Sequence, residues 1–217
     1  MGNLKFINIV SYRLAYFLTR ELKHTHEKKR VYYYGLQVVI GGLVKGILLV
    51  LLTLLLGIFH STFSVLLFFA ALRIFAGGYH MDNYTRCMIT SFAIFILLGL
   101  MVEYTYSYWS LMALISLSVL VFAAALISSI KWAPADTPYK PITNPAKLKN
   151  LKSLSIIVVF IWLAADILLI LNQQNFYVLA GCSGMLMGAF IISPAGYRFF
   201  DFISGKRRKS DKATVSR

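Results

Sequence analysis

The sequence predicts an all-α polytopic membrane helix bundle, with six transmembrane helices and an N-terminal amphipathic helix at the interface. Three observations carry this. Of 217 residues, 59% are hydrophobic and 14% charged, against about 45–50% and about 25% in soluble domains. Six apolar stretches follow one another after residue 34. The 22 lysines and arginines, with a formal net charge of +14, cluster at alternate ends of these stretches. That is the pattern of positive charge sorted to one side of a bilayer.

The first element is an amphipathic helix over residues 5–23. Phe6, Ile7, Val10, Leu14, Phe17, Leu18 and Leu22 share one arc, and Lys5, Tyr12, Tyr16, Arg20 and Lys23 the other. An apolar stripe opposite a basic face suits a helix lying among headgroups; the same periodicity also fits a helix packed on the bundle. A basic run leads to Tyr32, Tyr33 and Tyr34, residues typical of an aromatic belt. Residues 1–34 are too polar and too interrupted to hold the apolar core of a signal peptide.

The six apolar segments lie at 38–59, 62–76, 88–102, 109–130, 154–171 and 176–194. The first and fourth, with 22 residues each, are long enough to span. The second and third, with 15 each, are short against the about 20 residues a span needs. They flank Gly77-Gly78, so either neighbouring residues extend them or the backbone between them dips into the membrane.

The intervening segments 60–61, 103–108 and 172–175 contain no lysine or arginine. Almost all of the positive charge lies in the N-terminus, 77–87, 131–153 and the tail after Arg198. The positive-inside rule then puts both termini in the cytoplasm of a multi-pass cell-membrane protein. The length suits one membrane-embedded domain, 1–217, with 1–34 as its amphipathic and basic N-terminal segment and 205–217 as a basic tail. Basic residues interleaved with apolar stretches do not make a nucleic-acid surface. Cys87 and Cys182 form no CxxC or Cys/His zinc spacing, so neither a metal nor a cofactor is expected.

Chemistry concentrates between Arg73 and Cys87, a stretch that also holds Gly77, Gly78, His80 and Asp82. A thiol becomes a nucleophile where a cation or a helix N-terminus favours the thiolate, and a histidine can shuttle its proton. On one unbroken helix, residues seven apart lie about 10 Å apart along the axis, so His80 and Cys87 cooperate only if the helix breaks. Gly77-Gly78 permits that break, leaving Cys87 near the start of the third span, where the helix dipole helps hold a thiolate. Arg73 suits a bond to Asp82, a substrate carboxylate or a phosphate, or snorkelling to headgroups. Gly78 supplies backbone freedom that a side chain would block. Lys45 and Asp166 are ionisable groups inside spans and so carry functional suspicion; they either pair directly or snorkel. Cys182, beside Gly181 and Gly184, reads as helix-packing material.

The string from Arg73 to Cys87, with its Arg, Gly-Gly, His and Cys in order, resembles the signature of the AgrB family. A second string, Ala133-Pro134-Ala135-Asp136-Thr137-Pro138-Tyr139-Lys140-Pro141-Ile142 followed by lysines, resembles that family's cytoplasmic loop. Tyr79 and Met81 read as substitutable flanks. The resemblance implies a membrane cysteine endopeptidase of quorum sensing that cleaves an AgrD-like propeptide and yields a cyclic thiolactone or lactone. It implies Cys87 as nucleophile, His80 as its base, and a need for Arg73 and Gly78, with a homodimer in the lipid bilayer as the working form. Lys140, Lys147, Lys149 and Lys152 would then guide the propeptide's acidic tail. The competing reading is a non-enzymatic exporter of a small peptide or solute. An exporter is expected to show several charged or broken helices at mid-membrane and often an internal repeat. Here only Lys45 and Asp166 qualify.

Overall fold

The computed structural model describes residues 5–22, 26–79, 81, 83–135 and 144–205. Their elements are α1 (Lys5–Glu21), α2 (His26–Leu55), α3 (Phe59–Ala76), α4 (Tyr84–Thr105), α5 (Leu111–Trp132), α6 (Pro145–Leu171), α7 (Asn175–Ile192) and α8 (Pro194–Ser204). A short 3₁₀ turn covers Tyr106–Tyr108. No strand occurs among the described residues, where Gly77 and Ala135 form an isolated parallel bridge.

Six helices are long and apolar enough to cross a membrane: Lys29–Leu55, Phe59–Ala76, Tyr84–Tyr108, Leu111–Trp132, Pro145–Leu171 and Asn175–Ile192. The all-α, six-span architecture read from the sequence is therefore present. The two short segments are completed by their flanks, giving α3 18 residues and α4 22. Local polar chemistry sets the helix starts. The Asn83 side chain accepts from the Thr85 and Arg86 amides, Ser110 from Ala113, and Asn144 from Ala146 and Lys147. Each satisfies N–H groups that a helix leaves without an internal partner. Pro145 and Pro194 open α6 and α8, where a missing N–H costs nothing.

The chain forms two compact units. The first comprises Met1–Phe59 and Asp82–Ile94. In it α1 packs against α2, with Ile7, Ser11 and Ala15 buried and the Gln37 amide donating to Asn8 Oδ1 at 2.7 Å. The buried face is thus a row of mostly small residues one turn apart, which lets two helices approach closely. Leu14, Phe17 and Leu22 of the predicted apolar arc remain exposed, available to lipid.

The second unit comprises His60–Met81 and Phe95–Arg217. Here α5, α6 and α7 pack on one another, and α8 packs on α7. α7 is the most buried span. Its Gly184 lies against the Val65 carbonyl and the Phe68 side chain of α3, and its Gly188 against Leu72. Val65, Leu72, Leu114, Val121, Val159, Val178 and Met185 fill the interior. The sequence predicts no helix between the sixth apolar segment, ending at 194, and the basic tail, 205–217; the structure forms α8 there.

Candidate active site

In the second unit, the end of α3 turns sharply and is clamped. Gly77 and Gly78 have φ of +68° and +127°, values that L side chains rarely adopt. A Cβ on Gly77 would stand 2.5 Å from the Ala135 carbonyl oxygen, and one on Gly78 would collide with the Arg73 guanidinium. The Ala135 N–H donates to the Ala76 carbonyl at 2.8 Å, and the Gly78 N–H to the Ala135 carbonyl at 3.3 Å. Arg73 donates through Nη1 to the Gly77 carbonyl at 2.8 Å and through Nη2 to the Tyr79 carbonyl at 2.7 Å. One planar fork thus ties two carbonyls beyond the helix end.

Tyr79 is held as firmly as the glycines. Its N–H donates to the Ile191 carbonyl at 3.3 Å. Its phenol donates to Asp201 Oδ1 at 3.0 Å and lies 3.3 Å from the Ser204 hydroxyl. Its ring stacks on Phe200 and meets Tyr197 edge-on. The residue read as a substitutable flank is therefore an anchor, and its side-chain partners come from α8, a helix that the apolar pattern does not reveal. The missed signal was Ser193-Pro194, an N-cap followed by a first-turn proline, closed by Gly205. Met81 is buried. His80 and Asp82 lie outside the described residues.

In the first unit, Cys87 sits in the first turn of α4, its N–H bonded to the Asn83 carbonyl at 2.9 Å. It is partly buried and carries a free thiol. Lys45 Nζ of α2 donates to the Ser91 hydroxyl at 2.8 Å and stands 3.7 Å from Cys87 Sγ. The Ser91 hydroxyl in turn donates to the Cys87 carbonyl at 2.7 Å. One turn away on α2, the Gly41 carbonyl accepts from the Tyr84 phenol at 2.6 Å. A Cβ on Gly41 would stand 2.9 Å from the Tyr84 ring. Gly41 and Lys45 thus meet Tyr84, Cys87 and Ser91 across two helix faces. No acidic residue stands in the first turn of α4, and the sulfur has the Lys45 ammonium and a helix N-terminus beside it.

The other candidates differ in character. Cys182 is buried on α7, its sulfur 3.4 Å from the Ser118 hydroxyl. Asp166 is buried, and neither of its oxygens has a hydrogen-bond partner among the described residues. The Ser118 hydroxyl neighbours Asp166 but forms its bond with Cys182. Lys45, which the sequence left to pair with Asp166 or to snorkel, reaches Ser91 and Cys87. Lys147 and Lys149 are exposed on the first turns of α6 and Lys152 is half-buried; Lys140 lies outside the described residues.

These features define a six-span membrane protein with a thiol set at the start of one span beside an intramembrane ammonium. Residues 11–192 match the family model described as Accessory gene regulator B. The chain belongs to that family. It is 27% identical over 172 residues to the Putative AgrB-like protein 2 of Clostridium perfringens (strain 13 / Type A), covering 78% of this chain and 79% of that protein. It is 28% identical over 161 residues to a Putative AgrB-like protein of Clostridium perfringens (strain SM101 / Type A), covering 73% and 74%. It is 29% identical over 167 residues to the Accessory gene regulator protein B of Staphylococcus saprophyticus, covering 76% and 80%. No solved structure matches the chain. Membership supports a role in maturing an autoinducer peptide and implies an AgrD-type propeptide as substrate.

Proposed function

We propose that this protein is a membrane-embedded cysteine endopeptidase that cleaves the C-terminal part of an AgrD-like propeptide and releases a cyclic peptide intermediate. The observation that carries it is the position of Cys87, in the first turn of α4 with the Lys45 ammonium 3.7 Å from its sulfur. An apolar span offers few reasons to build such surroundings except to hold an anionic sulfur.

In this reading His80 takes the Cys87 proton, and the thiolate adds to a propeptide carbonyl carbon. The C–N bond breaks, His80 returns the proton to the leaving amine, and the C-terminal fragment departs. The acyl group remains as a thioester on Cys87. A substrate thiol or hydroxyl then gives its proton to the neutral His80 and attacks that thioester, and His80 returns the proton to the Cys87 sulfur as it leaves. The ring closes as a thiolactone or lactone, and the Cys87 sulfur is expelled. Shielding at the membrane boundary keeps water from intercepting the thioester. Arg73 and Gly78 serve by fixing the backbone that leads into His80, and Asp82 supports that segment. Lys140, Lys147, Lys149 and Lys152 draw in the acidic end of the propeptide. The working form is a homodimer in the lipid bilayer with both termini cytoplasmic, as charge asymmetry and family resemblance suggest.

The test is cleavage of a synthetic propeptide by purified protein in proteoliposomes. Cys87→Ser and His80→Ala should each abolish cleavage while inserting normally, and Cys182→Ala should cleave at close to the parent rate. Thioester capture at Cys87 by mass spectrometry would support the mechanism. Full cleavage by Cys87→Ser would remove it and leave the exporter reading ahead.

A further inference from the structure

We infer that Lys45 is a catalytic residue, its ammonium providing the fixed positive charge that opposes the anionic sulfur of Cys87. The inference rests on the reading of Cys87 as nucleophile. A lysine inside a span ordinarily turns its long stem toward the headgroups. Lys45 instead reaches across from α2 to α4, donating to Ser91 at 2.8 Å and standing 3.7 Å from Cys87 Sγ. Ser91 fixes the direction of that reach: it accepts from the ammonium and donates to the Cys87 carbonyl at 2.7 Å. The cation is thereby tied to the same helical turn as the sulfur it faces. The Tyr84–Gly41 bond, at 2.6 Å, holds the register of the two helices one turn away. Gly41 is the residue there that leaves room for the Tyr84 ring.

The charge accounting follows. A partly buried ammonium inside a span is costly without an anion nearby, and the group beside it that becomes anionic during the reaction is the Cys87 sulfur. Lys45 keeps its proton throughout; the thiol proton passes to His80 and then to the leaving amine. The ammonium acts twice, first opposing the thiolate before attack and again when the ring-closing step expels that sulfur from the thioester. In a partly water-excluded site a preorganised charge is worth far more than in bulk water. Among the described residues, the titratable groups facing the sulfur are Lys45 of α2 and Tyr84 of α4.

The experiment reads the reactivity of Cys87 directly, in the full chain carrying Cys182→Ala and reconstituted in proteoliposomes. The probe is iodoacetamide, a neutral reagent, with alkylation followed by mass spectrometry from about pH 6 to about pH 10. Lys45→Met should slow Cys87 alkylation roughly 10- to 100-fold near neutral pH, with the deficit closing as pH rises. Propeptide cleavage should fall in parallel. Lys45→Arg, which keeps the charge, should retain most of both. Ser91→Ala should lose several-fold of both, and it tests the same relay without removing the charge. Alkylation by Lys45→Met that matches the parent at every pH would overturn the inference. So would a deficit equal at every pH, because that marks a merely structural role. Either result, combined with a dead Cys87→Ser enzyme, would leave the peptidase reading intact. Full cleavage by Cys87→Ser would instead remove that reading itself.

Discussion

Arg73 donates to the main-chain carbonyl of Tyr79 at 2.7 Å, closing a loop from the last turns of α3 onto the segment that leads into His80. Its second nitrogen takes the Gly77 carbonyl at 2.8 Å. The fork matters because both carbonyls lie past the helix end, where no helical N–H can reach them. Lysine has one point charge on a flexible stem and cannot hold both in a fixed plane. Arg73→Lys is therefore expected to lower the propeptide cleavage rate by roughly 10-fold or more, with membrane insertion unchanged. The check is single-turnover cleavage in proteoliposomes, normalised to inserted protein. A parent-like rate would show that charge alone suffices at this position.

The glycines of the same turn differ sharply from those in the open helix. Gly78→Ala must place a Cβ at φ +127° and against the Arg73 guanidinium. The backbone strain alone is about 1–3 kcal/mol, and displacing Arg73 adds the loss of its carbonyl bonds. Gly35, in α2, has nothing within 4 Å of its would-be Cβ. Alanine there should gain helix propensity of up to about 1 kcal/mol. The expected outcome is severe loss of cleavage for Gly78→Ala and near-parent cleavage with slightly raised thermal stability for Gly35→Ala. Cleavage assays and thermal unfolding in detergent measure both. Equal behaviour of the two variants would contradict the account of the turn.

Not all of this was legible in the sequence. The six spans were, because apolar length is a direct consequence of bilayer thickness. The position of Cys87 at a helix start was also legible, since Gly77-Gly78 announced a break. The packing face of α1 was not. Hydrophobic periodicity pointed to an arc from Ile7 through Leu14 and Phe17; close helix contact buries Ile7 of that arc but otherwise selects Ser11 and Ala15, which lie outside it. α8 was hidden because Arg198 and Asp201 interrupt its apolar residues, although Ser193-Pro194 marked its start. Lys45 stood out as a charge within a span, but its partner did not. Which residue of α4 faces it depends on helix register, and that is set by contacts such as Tyr84–Gly41 that no local pattern encodes.

Topology gives a prediction independent of catalysis. If charge asymmetry sets orientation, the turns joining α4 to α5 and α6 to α7 face outward, since 103–108 and 172–175 hold no lysine or arginine. Thr105 lies at the end of α4, and Gln173 is exposed beyond α6. Thr105→Cys and Gln173→Cys, each in a background carrying Cys182→Ala, should react with a membrane-impermeant maleimide in intact cells. Labelling of either site only after the membrane is opened would reverse the orientation, and with it the cytoplasmic location of the basic segments.

The start of α6 offers a test of substrate guidance. Lys147 and Lys149 are exposed within its first turns, which contain no acidic residue. The helix N-terminus contributes partial positive charge of its own, with two of its N–H groups, those of Ala146 and Lys147, taken by the Asn144 side chain. An acidic propeptide tail would meet both sources of charge together. Charge reversal by Lys147→Glu with Lys149→Glu suits this position, because glutamate at Lys147, in the first turn, is favourable to the helix, and circular dichroism of the double variant separates a loss of binding from a loss of α6. Exposed charges interact over about 10 Å at 0.1 M salt and about 3 Å at 1 M. Binding of a fluorescent propeptide to the double variant should weaken roughly 10-fold at low salt and within about twofold at high salt, on the scale of two exposed pairs. A matched propeptide with its acidic residues replaced by amides should show no difference between parent and variant at either salt level. Equal binding of the acidic propeptide by parent and variant at low salt would assign these lysines to the lipid surface instead.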